Sequence, residues 1–215
     1  LMQLDADLIV TAAYGQFLPT KFLNFPRFGA VNVHASLLPK YRGGAPIHYA
    51  IMNGDKETGV TIMRMVAKMD AGAIISQRAI PITGEDDVAS MFEKLSVVGA
   101  DLLIETLPAL FAGTITEVEQ DESLVSFSPN ISRDQEQIDW NKTATEVDCF
   151  VRGLRPWPTS FTILNGNRVK MWGVALTDKQ TTKAPGSLFV EGGRLYVACG
   201  GGTVLEITRL QPAGK

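Results

Sequence analysis

Asn32 and His34, two residues apart, are the side chains whose types and spacing first suggest chemistry. They alternate with Val31 and Val33 in the stretch Ala-Val-Asn-Val-His at 30–34. Successive side chains of an extended strand point to opposite faces, so the valines share one face and the polar pair the other. A polar pair on one strand face is poor material for a core but well suited to holding a substrate carbonyl. The ordinary alternative stands beside this, since a single His in a strand is usually structural. The strand runs into Leu-Leu-Pro and Tyr-Arg-Gly-Gly, a turn-forming stretch. The pair is therefore expected near the carboxyl end of a strand, where open α/β sheets bind ligands.

The elements that must position this pair read as periodicities. Residues 7–12 resemble a buried strand after a helix end at 1–4, and Gly15 and Pro19 break the following stretch into a loop. A helix is expected over 46–53, with Pro46 in its first turn and Gly54 beyond its end. Strands follow at 59–66 and 73–81, joined by a loop ending Met69-Asp70-Ala71-Gly72. Residues 86–112 carry a long helical pattern with Leu95, Val98, Leu102 and Leu103 on one side. His48 reads as surface or packing, and Asp55, Glu57 and the acidic run at 85–87 as solvated faces or helix starts.

Beyond residue 113 the pattern changes. Periodicity weakens and Glu117, Glu119, Asp121 and Glu122 cluster, which suggests a linker over 119–137 between a first domain (1–118) and a second (138–215). The second begins with a short helix over 142–154. Short strands then alternate with turns such as Asn165-Gly166-Asn167, Gly192-Gly193 and Gly200-Gly201-Gly202, a spacing that suggests a small β-barrel.

Composition bounds the function. With 215 residues, 45% apolar and 20% charged, the chain suits one large or two small globular domains. No apolar run approaches the ~20 residues of a membrane span, and no signal peptide is evident. Two cysteines, Cys149 and Cys199, make no framework, which suggests a reducing, cytoplasmic setting. Residues 138–215 hold ten Lys/Arg against six Asp/Glu, net +4, leaving ten against seventeen, net −7, in the remainder. Such asymmetry hints at a polyanion met by the second domain through Arg152, Arg155, Arg168 and Lys170, although +4 on a small domain is also unremarkable.

Asn32-Val33-His34 followed by Ser36-Leu37-Leu38-Pro39 resembles the signature of the 10-formyltetrahydrofolate-dependent formyltransferases. Gly59-Val60-Thr61 and Met69-Asp70-Ala71-Gly72 resemble the family's next two blocks, in order and at similar spacing. The resemblance implies an α/β, Rossmann-like formyltransferase domain, incomplete at its start, followed by an OB-like β-barrel domain. It places Leu1 inside the catalytic domain, so the opening β-α units and their glycine-rich loop are expected to be absent, and each site partial.

The resemblance further implies transfer of a formyl group from 10-formyltetrahydrofolate, which serves as co-substrate without a metal. The acceptor amine would be that of methionine on initiator methionyl-tRNA, or else that of an amino sugar on a nucleotide. Formyl transfer passes through a tetrahedral centre whose oxyanion needs preorganised donors. Asn32 and a protonated His34 would supply them, and Asp70 would take the amine's proton and favour the imidazolium. The co-substrate would be held by Gln16, Leu18, Ser36, Leu37, Leu38, Pro39 and Met69. Phe17 and Leu18 could equally well only pack, and Ser36 could only cap its loop. Arg42, beside Gly43-Gly44, is expected at the mouth of the site, meeting an acceptor phosphate or only solvent. A monomer is expected, with no membrane partner.

Overall fold

The computed structural model describes residues 4–214, so most of the helix end expected at 1–4 lies outside the described residues. Two compact units are present. One comprises residues up to 47, then 56–82 and 91–130; the other comprises 48–55, 83–90 and 131 onward.

The first unit is a mixed sheet in the order β1 (Ile9–Ala12), β2 (Ala30–His34), β3 (Glu57–Arg64) and β4 (Ile74–Pro81). β1 and β2 run parallel, and β3 and β4 add antiparallel. Thr11 stands beside Asn32, and His34 beside Thr61, so Thr11, Asn32, His34 and Thr61 share one face. Val31, Val33, Val60 and Ile62 take the other face, where α3 (Val88–Ala112) packs. A Cβ on Gly99 would stand 3.0 Å from Val33 Cγ1, and this close approach brings the helix onto the strand. The inward stripe of α3 is Met91, Leu95, Leu102 and Leu110, at helical spacing, while Phe92, Val97 and Ile104 are exposed. By length and composition alone α3 could cross a bilayer, which corrects the expectation that no apolar run approaches that length. Within this unit, though, its stripe lies on the sheet. A short helix, α1 (Thr20–Leu23), occupies the β1–β2 connection, and the helix expected over 46–53 is α2 (Pro46–Met52).

The expected linker, and Val118 just before it, have more structure than the composition suggests. Val118 bridges Ile74 by reciprocal backbone bonds of 2.8 and 2.9 Å. Phe127 bridges Arg42, with Arg42 N–H donating to Ser126 O at 2.9 Å and Ser128 N–H donating to Arg42 O at 2.7 Å.

The second unit is an antiparallel sheet in the order β5 (Phe161–Leu164), β6 (Asn167–Gln180), β9 (Thr203–Pro212), β8 (Arg194–Ala198) and β7 (Leu188–Glu191). Its hairpins turn at Asn165-Gly166 and Gly192-Gly193, both with two positive φ values, as two-residue hairpins prefer. The sheet carries α4 (Ala144–Leu154), whose Ala144, Val147 and Val151 meet Met171, Val197, Leu205 and Ile207 in one core. A reciprocal cap starts α4: Thr143 Oγ1 accepts from Glu146 N–H, and Glu146 Oε2 accepts from Thr143 N–H. The expected closed barrel is not found: among the described residues no pairing joins β5 to β7. The long β6 instead bends through register shifts against β9.

Candidate active site

The site is built on the polar face of β2 in the first unit. Asn32 is half-buried, and its Oδ1 accepts the Thr11 hydroxyl at 2.7 Å. A hydroxyl donates to the amide oxygen and not to the NH2, so this bond turns the Nδ2 donors the other way. Thr11 was invisible as a partner in the sequence because it lies on the neighbouring strand, set opposite Asn32 only by the β1–β2 register.

His34 is buried, with 6% of its surface exposed. Its Nε2 lies 2.9 Å from the carbonyl of Tyr41. A carbonyl only accepts, so Nε2 carries a hydrogen and Nδ1 is the nitrogen left for chemistry. Nδ1 stands 3.8 Å from Asp70 Oδ2. The same carboxylate oxygen accepts the Gly43 N–H at 2.8 Å. Asp70 has a φ of +49°, so its loop is held in a backbone conformation that L-residues rarely adopt. Asn32, His34 and Asp70, 38 residues apart from first to last, are thus gathered onto one unit, with His34 and Asp70 in direct reach of each other.

The turn-rich stretch after β2 is tightly fastened. Thr61 Oγ1 donates to Ser36 O at 2.6 Å and accepts from Leu38 N–H at 3.1 Å and from Gln77 Nε2 at 2.9 Å. Gln77 also donates to Leu38 O at 2.8 Å, and Ser36 Oγ donates to Lys40 O at 2.7 Å.

Seven residues were expected at the co-substrate. Gln16 is exposed, Met69 is half exposed, and Leu18, Leu37 and Pro39 are partly buried, so all five retain surface for a ligand. Ser36 and Leu38 differ. They are 0% and 3% exposed and brace the loop from within, so their side chains present no such surface. The expectation for Arg42 is also corrected. It is fully buried, with Nε and Nη2 donating to Gln120 Oε1 at 3.0 and 2.8 Å and Nη2 donating to Glu122 Oε1 at 2.9 Å.

In the second unit the expected cations are largely engaged within the fold. Arg152 is buried, pairs with Asp148 at 2.8 Å and donates to Asp86 O. Arg155 pairs with Asp87 at 2.9 Å. Arg168 pairs with Glu136 and stacks 3.7 Å over the Phe161 ring. Lys170 instead flanks Trp172, its Nζ 5.9 Å from the ring centre, with Arg209 5.5 Å from the same ring. Among the described residues no three His, Cys, Asp or Glu side chains gather as a metal site.

The Formyl transferase family matches residues 1–107, and the Formyl transferase, C-terminal domain, family matches residues 130–215. A methionyl-tRNA formyltransferase of Enterococcus faecalis is 62% identical over 216 residues, covering all of this chain and 69% of the relative. The chain belongs to the methionyl-tRNA formyltransferase family. Among solved structures, the sugar 3N-formyltransferase WlaRD aligns at a TM-score of 0.75 and 18% identity, covering 100% of this chain and 77% of that one. HypX from Aquifex aeolicus, solved in complex with tetrahydrofolic acid, aligns at a TM-score of 0.73 and 19% identity, covering 97% of this chain and 36% of that one. These two likenesses speak to the fold alone.

Proposed function

We propose that the chain transfers a formyl group from 10-formyltetrahydrofolate to the amino group of methionine on initiator methionyl-tRNA. The single observation that carries the acceptor is the 62% identity to a methionyl-tRNA formyltransferase along the whole chain.

The chemistry follows from the geometry of the first unit. The amine attacks the formyl carbon, a C–N bond forms, and negative charge gathers on the formyl oxygen. Asn32 Nδ2, turned outward by Thr11, donates to that oxygen. His34 in its protonated form, with Nε2–H spent on Tyr41 O, offers Nδ1–H as the second donor. Asp70 Oδ2, 3.8 Å from Nδ1 and anchored by the Gly43 N–H, accepts the amine's proton directly or through a water. Collapse of the tetrahedral centre breaks the bond to the folate nitrogen, which takes up a proton. Gln16, Leu18, Leu37, Pro39 and Met69 are the side chains that would meet the folate, and no covalent enzyme intermediate is needed.

Residues 1–118 form the formyl-transferring domain in this reading, 119–137 the connection, and 138–215 an OB-like domain that meets RNA. The bent, bulged β6 and the cluster of Lys170, Trp172 and Arg209 support that assignment, since cations beside an aromatic ring suit phosphate and base together. The purified enzyme is tested with 10-formyltetrahydrofolate, offering methionyl initiator tRNA and a nucleotide-linked amino sugar in parallel, with His34→Ala as the blank. Formylation of the tRNA alone is expected, and formylation of the sugar alone overturns the acceptor. Replacing Asn32, His34 or Asp70 by Ala is expected to cut kcat by about a hundredfold or more, and a variant retaining more than about a tenth of wild-type kcat refutes the role of that residue.

A further inference from the structure

Asp70 is held by more than its carboxylate bond. Gln120, in the segment the sequence reads as linker, donates from Nε2 to the backbone carbonyls of both Asp70 and Gly72, each at 2.8 Å. Its Oε1 accepts Nε and Nη2 of Arg42 at 3.0 and 2.8 Å. All four hydrogen-bonding positions of the amide are therefore used, and its orientation is determined: Arg42 can only donate and the two carbonyls can only accept. Gln120 is 9% exposed and Arg42 is fully buried, so water competes weakly for these bonds.

The two chain segments joined by this amide are the two that place the Asp70 carboxylate. One is its own loop, where Asp70 takes a φ of +49° and a Cβ on Gly72 would stand 1.9 Å from Arg64 O. The other is the loop carrying Arg42 and, next to it, Gly43, whose N–H donates to Asp70 Oδ2. A residue in a left-handed conformation persists only where its surroundings over-determine it, and Gln120 supplies that constraint from behind. Arg42 Nη1 is buried without a hydrogen-bond partner among the described residues, and the hydrogen bonds of Nε and Nη2 go to Gln120 and Glu122.

We propose that Gln120, oriented by Arg42, is a positioning residue that sets the distance of the Asp70 carboxylate from His34. This inference rests on the catalytic role assigned to Asp70 above. Gln120→Glu tests it, because it keeps the size and the pairing with Arg42 but replaces both N–H donors by a second oxygen facing two carbonyls. The expected result is a fall in kcat of roughly tenfold to a hundredfold, with KM for folate and for tRNA within about threefold and a displaced acidic limb of the kcat pH profile. Arg42→Lys, which keeps one cationic donor, is expected to show a smaller fall in the same direction and stands in if Gln120→Glu does not fold. Combined with Asp70→Asn, either variant is expected to lower kcat less than about twofold further. The proposal is overturned if the single variants leave kcat and its pH profile unchanged while Asp70→Asn abolishes turnover, or if their losses multiply in full on the Asp70→Asn background. If Asp70→Asn itself retains turnover, the catalytic reading and this inference fail together.

Discussion

Gly43 and Gly44 are adjacent in sequence, yet a methyl group should act very differently on them. Gly43 has a φ of +123°, a region closed to L-residues without strain, and a Cβ there would lie 2.7 Å from Ser128 O and 3.1 Å from Ser128 C. That carbonyl cannot retreat freely, because it accepts the Ala45 N–H at 2.9 Å while Ser128 N–H donates to Arg42 O at 2.7 Å. Backbone strain of about 1–3 kcal/mol and the clash together give an expected loss of about 2–4 kcal/mol for Gly43→Ala. For a domain of this size that is a fall in Tm of about 5–15 °C. At Gly44 a Cβ would approach 2.1 Å from Asn130 Oδ1, but this is the end of a rotatable side chain and no positive φ is involved. Gly44→Ala is expected to cost less than about 1 kcal/mol. Function should divide the same way, since Gly43 N–H holds Asp70 Oδ2 at 2.8 Å: kcat should fall about tenfold or more in Gly43→Ala and stay near wild type in Gly44→Ala. Calorimetry and steady-state formylation on both variants check this. Equal stability of the two, or full turnover in Gly43→Ala, refutes the reasoning.

Other expectations follow from the second unit. Arg152→Ala should lower stability by about 3 kcal/mol, because it removes a buried guanidinium and leaves the largely covered Asp148 without its cation; a Tm shift under about 2 °C counts against that pairing. Replacing Lys170 and Arg209 by Ala together should leave Tm unchanged and reduce the slope of tRNA affinity against salt by about 1–2, and an unchanged slope removes the Trp172 cluster from the RNA surface. Burial lowers the pKa of His48, partly countered by its bond to Trp157 O. Its native form therefore resists protonation, so stability present above the unfolded pKa of 6.5 is lost as pH falls below it. Denaturant melts between pH 7 and pH 5 should show a shallower decline for His48→Gln than for wild type, and identical slopes contradict the assignment.

What was legible depended on how far apart the partners lay. The alternation of Val31 and Val33 with Asn32 and His34 identified the strand and both of its faces, because a period of two needs only neighbours. Asn165-Gly166 announced its hairpin for the same reason, since two positive φ values leave little choice of residue. Arg42 misled: a charged residue beside Gly-Gly reads as exposed, and its acceptors Gln120 and Glu122 lie 78 and 80 residues away. Gln120 was hidden by its setting among Glu117, Glu119, Asp121 and Glu122, whose solvated character conceals one buried amide. Arg152 was read as a cation for a polyanion, but it is spent on Asp148 four residues before it and on Asp86 O, and its burial was not legible because the second contact is made far along the chain. The barrel expected from five or six short strands gave an open order, since strand count alone does not fix whether the first and last strands meet.

The loop after β2 would usually be placed among the mobile parts of a protein, yet its backbone is fastened like a core element. The N–H groups of Leu38, Arg42 and Ala45 donate to Thr61 Oγ1, Ser126 O and Ser128 O, and Thr61 Oγ1 also carries Ser36 O and Gln77. One hydroxyl on β3 and one passing segment, 126–128, thus hold the stretch at its start and along its length. In hydrogen exchange the stretch should therefore behave as one cooperative unit, its amides sharing a single opening free energy. Substrates then meet a surface that is finished before they arrive, and the ordering cost that a flexible loop would charge against binding has already been met in folding.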